Sequence, residues 1–215
     1  MRNYRSCIAS VAFVVMTVVA PGLAHAQGMT ESVAEPKVWL GGHLGLSPVG
    51  TLKAKASAQG SELSDSVDTA TAFEVGAQFE FRIMPFLSVG LAPAVLLHIK
   101  GQDDKDSASQ LDLPLRITAG GNVMPQLRLY GFVAPGYTIL FPPADDMGNS
   151  DRLSGFMVGF GGGVGFKVAP KFAVIGELGY QFRFPSETRM LGTTPVDLQI
   201  QANYLTFSLG VVAGL

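Results

Sequence analysis

Thiols and imidazoles are almost missing from this chain of 215 residues, which has one cysteine and three histidines. The cysteine, Cys7, falls in an N-terminal segment expected to be removed on export, and too early in it for a lipoprotein attachment site. The exported part then has no thiol, which excludes disulfides, thiolate metal sites and cysteine nucleophiles. Basic charge is also scarce. Taking Arg2 and Arg5 from the 15 basic residues leaves 13 against 17 acids, the wrong balance for a nucleic-acid partner, which calls for a basic patch or stripe. Beyond the N-terminal segment no run of 18 apolar residues remains, so no membrane-spanning helix is expected. Yet 47% of the residues are apolar, so that content must be distributed in another way.

The N-terminal segment has its own pattern. Arg2 and Arg5 open it, Ile8 to Ala20 is apolar, and Ala24-His25-Ala26 supplies small residues around a cleavage point before Gln27. This is the pattern of a secretory signal peptide over residues 1–26. Residues 27–36 then form a short N-terminal segment expected in the periplasm, and 37–215 form the folded domain.

That domain repeats one design. Arg82-Ile-Met-Pro85, Asn122-Val-Met-Pro125 and Lys167-Val-Ala-Pro170 each place proline at a tight reversal, with apolar residues at every second position on both sides. Period-2 alternation marks strands with one apolar face. The second segment, about Ala70 to Ile83, is the clearest, with Phe73, Val75, Ala77, Phe79 and Phe81 on one face and Glu74, Gly76, Gln78, Glu80 and Arg82 on the other. Eight segments follow in this way. They are Lys37 to Leu46, Ala70 to Ile83, a third after Pro85, Gln110 to Gly120, a fifth after Pro125, a sixth through Phe156 to Phe166, a seventh after Pro170, and a last ending at Leu215. The reading is an all-β fold, an eight-stranded antiparallel up-and-down transmembrane β-barrel.

In hydrocarbon every backbone N–H and C=O must be paired internally, which a closed barrel achieves. An even strand number puts both termini on one side, taken as the periplasm, with the proline turns. The stretches 47–69, 100–109, 140–152 and 185–197 become extracellular loops. Two irregularities are expected. Leu198 to Tyr204 alternates with the opposite parity to the end of the chain, which predicts a bulge near Tyr204. Pro93, Pro114 and Pro135 fall inside strands and predict bulges or ladder breaks, most easily tolerated near the rim.

These residues resemble the small outer-membrane barrel superfamily of Gram-negative bacteria, the OmpA/OmpX/OmpW-like porin family, over about Lys37 to Leu215. Ser208-Leu-Gly210-Val-Val-Ala213-Gly-Leu215 is similar to the C-terminal signal of such barrels, with Leu215 where phenylalanine is usual. The resemblance implies outer-membrane lipid and the barrel-assembly machinery as partners.

With the apolar parity outward, the lumen receives charges of both signs. Such a narrow barrel is only wide enough for side chains to fill, and buried charges must pair. Glu80, Arg116, Arg128 and Glu177 are the expected lumen charge network. Five inward glycines of the sixth segment either accommodate Tyr130 and Phe132 or open a small cavity. Catalysis is not expected: the exported part has only His43 and His98, neither in a His-x-Ser sequence, and no cofactor is implied. More than half of the 17 acids fall in the loops, among them Asp145 and Asp151. They suit a solvated rim, divalent cations or an unspecified extracellular partner. The function expected is a structural or surface-interacting barrel with a filled lumen. The alternatives are a narrow channel for small solutes and a soluble lipocalin-like ligand-binding barrel.

Overall fold

The computed structural model describes residues 36–58, 61–99, 107–143, 152–191 and 194–215. The N-terminal segment and the stretch 144–151 lie outside the described residues. Ten strands make up the fold: β1 (Val38–Ala58), β2 (Ser61–Thr69), β3 (Ala72–Met84), β4 (Leu87–Leu91), β5 (Ala94–Ile99), β6 (Ala108–Met124), β7 (Leu127–Phe141), β8 (Leu153–Ala169), β9 (Phe172–Leu191) and β10 (Thr194–Gly214). They form eight staves, because β2 runs on into β3 and β4 into β5. Every neighbour is antiparallel. The ring closes where β1 pairs on one side with β10, from Trp39↔Gly214 to Ser57↔Asp197, and on the other with β3, from Val38↔Phe81 to Ser47↔Ala72. Closure removes the unpaired edges that would otherwise recruit another chain.

The alternation has the expected sense. Leu44, Phe79, Leu91, Leu115, Val133, Phe160, Leu178 and Leu209 point outward and are exposed, while Glu80, Arg116, Asp112 and Arg183 point inward and are buried. A lipocalin-type barrel requires the reverse, so the soluble alternative is overturned. Outward aromatics occupy both ends of the staves, Phe81, Phe166 and Phe172 toward the turns and Phe73, Tyr137 and Phe184 toward the loops.

Three expectations are corrected. The stretch 47–69 is a hairpin, not a loop. β1 continues to Ala58 and β2 returns, paired from Gly50↔Thr69 to Ala58↔Ser61. Most of 185–197 is likewise strand, with Leu191 paired to Thr194. The first extension is rich in Ser, Lys and Asp, and the second in Thr, with Ser186, Glu187 and Asp197. In water a ladder needs no continuous apolar face, so hydrophobic alternation was a poor guide to them. The third correction concerns Tyr204. The β9–β10 ladder keeps one register on both sides of Tyr204, and the register shift falls instead on β1, between Leu46 and Val49. Tyr204 and Ala202 are buried together with Ala72, Leu96, Ile99, Leu140 and Leu153, flanked by Leu52, Leu198 and Ile200. The parity reversal therefore records a change in the interior, which becomes apolar near the loop end, and no kink in β10.

The prolines sit in mid-wall, not at the rim. Pro93 separates β4 from β5. Pro114 faces Gly136, and the same ladder skips the positions on which Leu115, Arg116, Ala134 and Pro135 would pair. A Cβ on Gly136 would lie 2.5 Å from Pro114 Cα, so only glycine allows this approach. The carbonyls remain in use. Ala77 N–H donates to Pro93 O (2.9 Å) and Ala92 N–H to Pro114 O (3.2 Å).

The lumen as candidate functional site

Side chains two apart on one stave share a face, so β6 aims Gln110, Asp112, Arg116 and Thr118 inward while β9 aims Glu177, Gln181 and Arg183 at them. Two ion pairs bridge β6 and β9 across the lumen. Toward the turns, Arg116 holds Glu177 with both ends of its fork, Nη1 to Oε2 at 3.0 Å and Nη2 to Oε1 at 2.5 Å. Bidentate geometry is the strong form of this contact. Glu80 Oε1 lies 3.4 Å from Arg116 Nε and accepts from Thr118 Oγ1 at 3.0 Å, while its Oε2 accepts from Ser88 Oγ at 3.0 Å. Tyr130 donates to Glu177 Oε1 at 2.7 Å, and the Phe132 ring centroid lies 4.0 Å from the Arg116 guanidinium carbon.

The second layer lies nearer the loops. Arg183, fully buried, donates to Asp112 Oδ2 from Nε (2.8 Å) and Nη2 (2.6 Å), and also to Gln181 Oε1. Asp112 Oδ1 accepts from Gln110 Nε2 (2.8 Å) and Thr138 Oγ1 (2.7 Å), so four donor contacts serve one carboxylate. The Tyr204 ring lies 4.8 Å from the guanidinium. A third pair, His43 Nε2 with Glu74 Oε1 at 3.0 Å, sits on the β1–β3 wall.

Of the four residues expected to form the charge network, the fold brings Glu80, Arg116 and Glu177 together. Arg128 lies nearer the turns, its guanidinium carbon 5.7 Å from the Tyr130 ring. Sequence reasoning missed the Asp112–Arg183 layer. Both residues carry the inward parity, and that was the available signal; their pairing depends on the register between β6 and β9, which no local pattern encodes. The glycines of β8 serve both expected ends. A Cβ on Gly163 would lie 2.7 Å from the Tyr130 hydroxyl and one on Gly161 2.8 Å from Phe132, so these two make room for rings. Gly159 instead lines a cavity.

Two cavities flank the Arg116–Glu177 layer. The middle one, about 540 Å³ with its open space, is lined by Ala92, Ala94, Ala134, Gly159 and Gly179 together with His43 and Glu74. The turn-side one, about 500 Å³, is lined by Trp39, Gln78, Arg82, Arg128, Lys167 and the apolar Ala173, Ile175 and Val212. Among the described residues no group of three His, Cys, Asp or Glu is placed to hold a metal. The His98 side chain and the acidic stretch Asp145–Asp151 lie outside the described residues.

The sequence matches the outer membrane protein beta-barrel domain family over residues 11–212. No curated protein matches it. Among solved structures it is similar to the outer membrane protein OprG from Pseudomonas aeruginosa, with a TM-score of 0.56 at 12% identity over 82% of this chain and 96% of that one. The outer membrane protein AlkL in lipid bilayers gives 0.54 at 14% identity over 89% and 96%. At such identities the likeness is one of fold. The family match spans nearly the whole sequence and agrees with a wall that is apolar outward and polar inward, so the chain belongs to the outer membrane β-barrel family and resides in the cell outer membrane.

Proposed function

We propose that this barrel is a non-enzymatic wall element of the outer membrane, with a structural or surface-interacting role, a lumen closed by its own side chains and both chain ends in the periplasm. The observation that carries the reading is the pair of ion-pair bridges from β6 to β9, Arg116–Glu177 and Asp112–Arg183. Each crosses the lumen, and each is held by further donors. Opening either means separating charges buried in a low-dielectric space. Surface contact, with lipid or an extracellular partner, falls to the loop-end hairpins.

A narrow channel is the second reading, favoured by the two cavities that the Arg116 layer separates. Planar-bilayer recordings of wild type, Arg116→Ala and Glu177→Ala distinguish the two. A closed wall element gives no unitary currents in any of the three, because the Asp112–Arg183 layer still blocks the lumen. Steps in wild type that change with either substitution overturn the closed reading in favour of the channel.

A further inference from the structure

The turn-side cavity gathers cationic side chains from three staves. Arg82 at the end of β3, Arg128 at the start of β7 and Lys167 near the end of β8 line it, whereas Glu80 is the one carboxylate among the lining residues. The cavity is therefore electropositive. Between Lys167 on β8 and Arg82 on β3, the strands β9, β10 and β1 supply an apolar arc. Trp39, Ala173, Ile175 and Val212 form a buried cluster of their own, with Trp39 7% exposed.

Two uncharged side chains of this cavity each carry a polar atom with no hydrogen-bond partner. The Trp39 indole N–H donates to nothing, and Gln78 Oε1 accepts nothing, although Gln78 Nε2 donates to Glu80 Oε1 at 2.7 Å. Both side chains are more than nine-tenths buried. Buried polar groups are ordinarily satisfied, and each exception calls for an explanation. Here a donor and an acceptor face one space that also holds cations and an apolar wall.

We propose that the turn-side cavity binds a small carboxylate with an apolar body and a hydrogen-bond donor next to the carboxyl group, as in an N-acylated amino acid. The carboxylate meets Arg82, Arg128 and Lys167 and accepts from the Trp39 indole. The adjacent amide N–H donates to Gln78 Oε1. The apolar side chain lies against Ala173, Ile175 and Val212. Each ligand group answers a named feature, and an inorganic anion, with no apolar body, leaves Ala173, Ile175 and Val212 uncovered.

Trp39 is the single tryptophan of the chain, so its emission reports on this site alone. The test titrates the full barrel, folded in a non-ionic detergent, with N-acetylvaline. Its uncharged amide, N-acetylvalinamide, and inorganic phosphate serve as comparisons. The expected result is a saturable change in Trp39 emission with N-acetylvaline, a much weaker response to the other two, and about a tenfold loss of affinity in Arg128→Gln and Lys167→Gln, each removing a charge-assisted contact. Lys171→Gln, at the β8–β9 turn and outside the lining, keeps wild-type affinity. Heat-modifiable migration identifies folded variants. The wild-type comparison of acid with amide decides the matter even where a variant does not fold. No saturable change, an equal response to the amide, or an equal response to phosphate overturns the proposal. The last two would leave a merely apolar site and a merely anionic one.

Discussion

Arg183 is the residue on which the interior depends most. It is fully buried, and its charge is matched by Asp112 alone among the ion pairs formed by the described residues. Removing one partner of a buried pair strands the other, at a cost of about 3–5 kcal/mol. Arg183→Ala is therefore expected to lower the stability of the folded barrel by about that amount, read from reversible urea unfolding in lipid vesicles. The double replacement Asp112→Leu with Arg183→Met should recover most of it, since an apolar pair of similar volume adjoins an interior already lined by Leu96, Leu140 and Tyr204. A double variant as unstable as Arg183→Ala would show that the donors Gln110 and Thr138, left facing a leucine, dominate the cost. Arg116 should be more forgiving, because Glu177 keeps the Tyr130 hydroxyl when the guanidinium is gone.

At the scale of strands, what could be read in advance depends on solvent. Staves facing lipid carry apolar residues at every second position, and Phe79, Phe81, Leu113, Leu115 and Leu178 announced their strands directly. The same rule failed on the β1–β2 hairpin, which rises into water, and misread the apolar upper interior around Tyr204 as a kink. Inward parity identified Glu80, Arg116 and Glu177, whereas their pairing and that of Asp112 with Arg183 arise from register between distant strands. The hairpin lies above the ring. The closing ladder between β1 and β3 runs only from Val38 to Ser47, so replacing residues 52–67 by a short glycine turn should leave a barrel that still shows heat-modifiable migration. Its effect should be local. Residues 197–202 of β10 lose their β1 partners, and limited proteolysis should cut the β9–β10 extension sooner. Loss of heat-modifiable migration would mean that the hairpin is part of the ring's folding, contrary to the ladder.

The molecule as a whole has two unlike ends, and they support the proposed sidedness. At one end lie tight turns at 85–86, 125–126 and 170–171, together with both ends of the described strand ring, where Leu215 N–H donates to Val38 O at 3.0 Å and Gly214 N–H to Lys171 O at 2.7 Å. At the other end β1–β2 and β9–β10 project, with β2 exposed along all but its last residue. Barrels of this class keep short turns in the periplasm and longer connections outside, which is the ground for proposing that the proline turns face the periplasm. The only natural cysteine is Cys7, so with the first 26 residues removed a single introduced thiol reports its own side. In intact cells a membrane-impermeant maleimide is expected to label Ser64→Cys on β2 and to spare Lys171→Cys at the β8–β9 turn. Lysis should make both reactive. Labelling of Lys171→Cys alone in intact cells would invert the barrel, placing the cationic turn-side cavity at the cell surface and the hairpins in the periplasm. The carboxylate site would stand in that case, but its ligand would reach it from outside the cell.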